Sequence, residues 1–187
     1  MKTLNRWMLA GVISLLFAFR IRAGNSTTDS TLVVSEEADS YVLNVPASKV
    51  VLRLPKGGFQ RMSVASGGAT GSPRYFAFDD KKSGVIISGW LESSKRYKGF
   101  GKLWSADKQS FIKQGLKIEE ERPGKIGDWD CVFYVVSLGP GMRQQNLRAC
   151  LVAEGTWVDV HLSLNAPATD QEGLEKVLSS IVVERRK

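Results

Sequence analysis

From Thr31 onward the chain is a succession of short runs in which apolar residues alternate with polar ones or cluster together, each cut off by glycine, proline or small polar residues. Runs of this length and composition are strand signals. They fall at 31–35, 41–45, 49–54, 59–64, 75–78 and 85–91, with Pro46, the segment 55–58 and the glycine-rich segment 66–73 as turns between them. Further strands are predicted at 117–122, 130–138 and 147–153. The run 157–164 alternates cleanly, with Val158, Val160, Leu162 and Leu164 on one side and Asp159, His161 and Ser163 on the other. Such a strand has one face buried and the other wet.

Two stretches change period. Over 103–114, Leu103, Phe111 and Ile112 share a helical face, Ser105 is placed to cap it, and Gly115 closes the pattern. Over 169–180, Thr169 and Glu172 have the reciprocal spacing of a capping box, and Leu174, Val177 and Leu178 form an apolar stripe. Residues 181–183 add an edge strand before a basic tail. Many strands in meander order with two isolated helices predict an antiparallel α+β layer structure rather than alternating βαβ units.

The N-terminus follows another pattern. Lys2 and Arg6 precede an apolar stretch from Met8 to Phe19, and Ala23 is a small residue placed for cleavage. A basic start and a short apolar run define a secretory signal; the run of about a dozen residues is too short for a spanning helix, which needs about 20. Residues 1–23 are therefore read as a signal peptide, 24–30 as a flexible leader and 31–187 as one domain, with no transmembrane segment in the mature form and a periplasmic or secreted location. Cleavage also changes the charge. The whole chain carries 26 Lys and Arg against 19 acids, a formal +7. Residues 1–23 hold four of those cations and no acid, which leaves 22 against 19, or +3. A domain so mildly basic is not built for nucleic acid.

Export bears on the only two cysteines, Cys131 and Cys150. Each lies in a strand-like run on either side of the turn-rich segment 139–146. A hairpin turning about Pro140 and Gly141 sets them directly opposite, at a spacing that a disulfide spans. Compartment and parity favour the bridge over two buried free thiols.

Three places along the mature chain resemble the PsbP/Mog1/DcrB-like group of small domains. They are the segment Leu54 to Phe59, the order of strands, helix and long antiparallel hairpins through the middle, and the segment Trp157 to Ser163 ahead of a C-terminal helix. The resemblance implies an α/β/α sandwich, an antiparallel sheet flanked by the two main helices. It also implies an accessory or binding role without catalysis, and it assigns no catalytic residue.

The residues themselves offer little chemistry. His161, the sole histidine, stands between Asp159 and Ser163, but neighbours two apart on a strand are about 6.5 to 7 Å apart, and a proton relay needs contacts near 3 Å. One histidine and two cysteines are too few ligands for zinc, so neither a metal nor a cofactor is expected. The glycine-rich segment 66–73 lacks the Gly-Lys-Ser/Thr ending of a phosphate loop and reads as a connection. Glu119, Glu120 and Glu121 read as a solvated edge. The binding candidate is the segment with Lys95, Arg96, Tyr97, Lys98, Lys102 and Trp104, four cations among three aromatics when Phe100 is included. If exposed, it suits an envelope protein or an anionic cell-envelope surface; otherwise its aromatics enter the core while the cations solvate the outside. The expectation is a non-catalytic exported binding or accessory domain. The alternatives are an envelope hydrolase centred on His161 and a secreted inhibitor or immunity protein.

Overall fold

A computed structural model describes residues 31–63, 72–139, 141–165 and 170–186. The expected signal over 1–23, the leader over 24–30, most of the glycine-rich segment and Thr169 lie outside the described residues. In chain order the elements are β1 (Val33–Glu36), β2 (Ser40–Asn44), β3 (Val50–Pro55), β4 (Phe59–Arg61), β5 (Tyr75–Asp80), β6 (Val85–Ser93), α1 (Phe100–Lys113), β7 (Lys117–Ile126), β8 (Trp129–Gly139), β9 (Met142–Ala153), β10 (Thr156–Asn165), α2 (Gln171–Ser179) and β11 (Val182–Arg185). A single 3-10 turn, Ser94–Arg96, leads from β6 toward α1.

Two antiparallel sheets form instead of one. Seven strands are ordered β4-β5-β6-β10-β9-β8-β7, and four are ordered β1-β2-β3-β11. The expected antiparallel α+β fold with two helices is present, but its strands divide into two sheets where one was expected, because the early strands β1–β3 join the C-terminal β11 in a sheet of their own. Its side chains Leu43, Leu52 and Leu54 pack into one core with Phe78, Ile87, Phe133, Leu147, Val158, Val160 and Leu162 of the larger sheet and with Leu174 and Leu178 of α2. On the opposite side of β8, Trp104 and Phe111 of α1 pack against Val132, Tyr134 and Val136. β8 is thus buried on both faces, which is why its sequence is apolar without alternation. Burying each such side chain contributes roughly 1.5–3 kcal/mol, so these two clusters dominate the stability of the fold.

The ends of the helices differ in detail from the sequence reading. α1 begins at Phe100 after Gly99, not at Ser105, and its cap residue offers no side-chain acceptor. It ends in Gln114 and then Gly115, whose φ of 72° suits glycine. α2 is capped by Asp170, whose side chain accepts from the Gly173 N–H at 2.9 Å.

The cysteines form no disulfide. At the tip of the β8–β9 hairpin Gly139 pairs with Met142, a register that would carry Cys131 to a position opposite Cys150. An irregularity between Ser137 and Gly139 moves the register by one residue, after which Cys150 faces Asp130 and Cys131 faces Ala149. Because side chains alternate, a slip of one places the two thiols on opposite faces of the sheet. Cys131 enters the main core, whereas Cys150 lies on the face that carries α1. Burial pushes the Cys131 thiol up to about 11 and raises Cys150 as well.

Candidate functional site

Along β10 the alternation predicted from sequence is present, but its polar side is not wet. Asp159 and Ser163 are buried, and His161 is half-buried. The cause lies on the neighbouring strand. Cross-strand pairing sets Arg148 of β9 opposite His161 and Asn146 opposite Ser163, on the sheet face that α1 covers. The guanidinium of Arg148 donates through Nη2 to Asp159 Oδ2 at 2.6 Å and through Nη1 to Asp107 Oδ2 at 2.5 Å, the latter projecting from the middle of α1. All three side chains are at most 4% exposed. Sequence reading missed this cluster because its members lie far apart in the chain and each looks like an ordinary surface charge; the one signal was an arginine inside the otherwise strand-like run 147–153.

One guanidinium cannot neutralise two carboxylates, and the Oδ1 atoms of Asp107 and Asp159 have no hydrogen-bond partner among the described residues. The cluster therefore favours holding one more proton. Burial raises the Asp107 carboxyl to about 7, against the pull of Arg148 and with the help of Asp159. Burial opposes charge on Arg148 too, yet the carboxylates of Asp159 and Asp107 outweigh it and raise its pKa further.

His161 is wired differently from a catalytic base. Its Nε2 lies 3.1 Å from the Tyr134 hydroxyl and 3.1 Å from Asn146 Oδ1. The Asn146 amide donates through Nδ2 to the Gln144 carbonyl at 3.0 Å, which fixes Oδ1 toward the ring. That oxygen only accepts, so Nε2 carries the proton. Burial and the Arg148 charge push the imidazole down to about 3, leaving it neutral. No carboxylate hydrogen-bonds to it among the described residues, and no group of three or more metal-ligating side chains occurs among them.

The binding candidates divide. Trp104 is buried against Tyr134 at 4.6 Å between ring centroids, with its indole N–H donating to Glu121 Oε1 at 2.6 Å. It is a core anchor rather than a surface residue, and its bond to Glu121 lowers that carboxyl's pKa. Phe100 packs partly buried beside it. Tyr97 is half-buried against Trp157 at 5.3 Å. Lys95, Arg96, Lys98 and Lys102 are exposed. Glu119, Glu120 and Glu121 lie on the edge strand β7, where Arg143, Arg122 and Lys108 pair with them.

Two antiparallel sheets with one helix on each side of β8 define a PsbP-like fold. No family model matches the chain, and no curated protein matches it in sequence. Among solved structures, cyanobacterial PsbP (CyanoP) from Synechocystis sp. PCC 6803 is similar with a TM-score of 0.51 and 15% identity, over 87% of this chain and 96% of that one. A protein of Bacteroides thetaiotaomicron VPI-5482 aligns at a TM-score of 0.47 and 12% identity over 74% of this chain, which spans only 46% of that protein. At 15% identity, the likeness to CyanoP speaks for the fold alone.

Proposed function

We propose that this chain is an exported, non-catalytic binding or accessory domain, periplasmic or secreted, that docks an anionic partner of the cell envelope through the surface around Lys95, Arg96, Tyr97, Lys98 and Lys102. The observation that carries the reading is how the charges are spent. Asp107 and Asp159 are consumed by Arg148, and the Nε2 of His161 by Tyr134 and Asn146, so the polar centre holds α1 onto the sheet. By contrast Lys95, Lys98 and Lys102 are exposed and make no ion pair among the described residues, beside half-buried aromatic rings. Cations that no neighbour neutralises, next to aromatics, suit recognition of carboxylate or phosphate.

Replacing Lys95, Arg96 and Lys98 together by alanine, followed by pull-down from a native envelope extract, tests the docking surface: the variant should lose a partner that the parent recovers. Unchanged recovery overturns the assignment. Export is tested separately by the N-terminal mass of the secreted form, which should begin near residue 24.

A further inference from the structure

The basic segment sits against a set of aromatics contributed by other strands. Tyr75 of β5 faces Trp90 of β6, with ring centroids 5.2 Å apart. One pair further along, Glu92 of β6 faces Trp157 of β10, and Trp157 faces Val152 of β9. These positions share one face of the sheet, since residues directly opposite, and residues two apart on a strand, point the same way. Tyr97, arriving from the turn after β6, packs against Trp157 with ring centroids 5.3 Å apart and the planes tilted by 34°. Tyr75, Trp90, Tyr97 and Trp157 are each half-buried, and Val152 is 47% exposed.

The acid in their midst is not available to repel an anion. Glu92 is buried, and its Oε2 meets Arg74 at 3.3 Å and Arg96 at 3.6 Å. Around Tyr97, Arg96 has 59% of its side chain exposed and Lys95 and Lys98 are exposed too, while the nearby carboxylate of Asp130 is paired with Lys125 at 3.1 Å.

Building on the docking surface proposed above, we infer that Tyr75, Trp90, Tyr97, Trp157 and Val152 form the apolar floor of one composite interface, rimmed by Lys95, Arg96 and Lys98, whose occupant is an Asp/Glu-rich segment of another protein carrying an apolar or aromatic side chain. Tyrosine, tryptophan and arginine together make the energetic centres of protein interfaces. The rings are half-buried in tilted pairs against a sheet face, so they form a recessed apolar surface on which a side chain can be laid. A membrane anchor instead projects aromatic tips into the headgroup layer.

The test uses the intact chain and a twelve-residue Asp/Glu peptide with a central phenylalanine, followed through the indole N–H resonances. Trp90 and Trp157 should shift on titration, while Trp104 and Trp129, which are buried, stay in place. Binding should weaken about tenfold or more for Lys95→Glu/Lys98→Glu and for Trp90→Ala, and be unchanged for Lys117→Glu on the distant edge strand. Should Trp90→Ala disturb folding, Trp90→Leu, which retains bulk without a ring face, serves in its place and should weaken binding too.

Failure of the peptide to move Trp90 and Trp157 overturns the inference, as does selective binding of phosphatidylglycerol vesicles or polygalacturonate in its place. If the Lys95, Arg96 and Lys98 alanine variant loses its envelope partner while the Trp90 variants keep it, the docking reading stands and the aromatic floor falls.

Discussion

Asp107, in the middle of α1, accepts a hydrogen bond from Arg148 of β9 at 2.5 Å, and this buried contact ties the helix to a sheet face that is otherwise rich in polar groups. α1 brings only Trp104 and Phe111 as fully buried apolar residues. The ionic link therefore carries an unusual share of the specificity with which the helix is placed.

Removing the arginine alone should be severe. Arg148→Met leaves Asp107 and Asp159 buried without a counter-charge, and breaking a buried pair in this way costs about 3–5 kcal/mol. Urea denaturation monitored by tryptophan fluorescence should show that loss. Adding Asp107→Asn and Asp159→Asn to Arg148→Met should restore most of it, because the uncompensated charges are gone. A triple variant as unstable as the single one would contradict the charge argument.

The same cluster and its neighbour His161 give opposing pH dependences. Asp107, raised to about 7 from an unfolded value of about 4, contributes stability that is complete below pH 4 and is lost as pH rises through 7. His161, lowered to about 3 from about 6.5, contributes stability that is present above pH 6.5 and is lost as pH falls toward 3. Between pH 4 and 6.5 the two slopes oppose each other. Stability of the parent protein should be nearly flat there; Asp107→Asn should become less stable on acidification, and His161→Asn more stable. Each slope should approach about 1.4 kcal/mol per pH unit at most. Identical pH profiles for the two variants would be inconsistent with these assignments.

Much of the architecture was legible in the sequence, and the exceptions share one cause. Alternation and turn residues located the strands 41–45, 49–54, 85–91 and 157–164 within a residue or two of β2, β3, β6 and β10. Glycine at 115 and the apolar stripe of Leu174 and Leu178 marked the end of α1 and the buried face of α2. What the residues could not convey was pairing. Periodicity along one strand says which side chains share a face, but not whether that face meets water, a helix or another sheet. Hence Asp159 and His161 read as solvent-facing, although Arg148 and α1 enclose them. Trp104 fell in a basic segment, which left open whether it lay on a binding surface or in the core; it anchors α1. Register is equally invisible, and a slip of one residue near Leu138 separates Cys131 from Cys150.

The slipped register makes a prediction of its own. Both thiols are buried, with their pKa values raised, so neither should react with Ellman's reagent at pH 8 in the native state. Two equivalents should react in guanidinium without any reductant. Mass measurement with and without reduction should show no difference. Full oxidation of the purified protein would require a register other than the one described.

Gly89 makes a final demand on packing. It lies at the centre of β6, opposite Phe76 on one neighbour and Val160 on the other. A Cβ at this position would come within 2.0 Å of the Asp159 carbonyl oxygen and 2.7 Å of the Phe76 ring. Backbone cannot retreat as a flexible side chain can, so Gly89→Ala must push β6 and β10 apart or drive Phe76 off its place in the core. Overpacking of this kind costs about 1–3 kcal/mol, and more where backbone has to move. The variant should unfold at lower urea than the parent with an unchanged slope. Gly101→Ala, in the first turn of α1 with open space around it, should leave stability unchanged or raise it. Because β6 and β10 also present Trp90, Glu92 and Trp157, Gly89→Ala should shift the indole resonances of Trp90 and Trp157 even where the protein remains folded. A Gly89→Ala protein with parental stability and unmoved resonances would show that the two strands do not approach each other as closely as described.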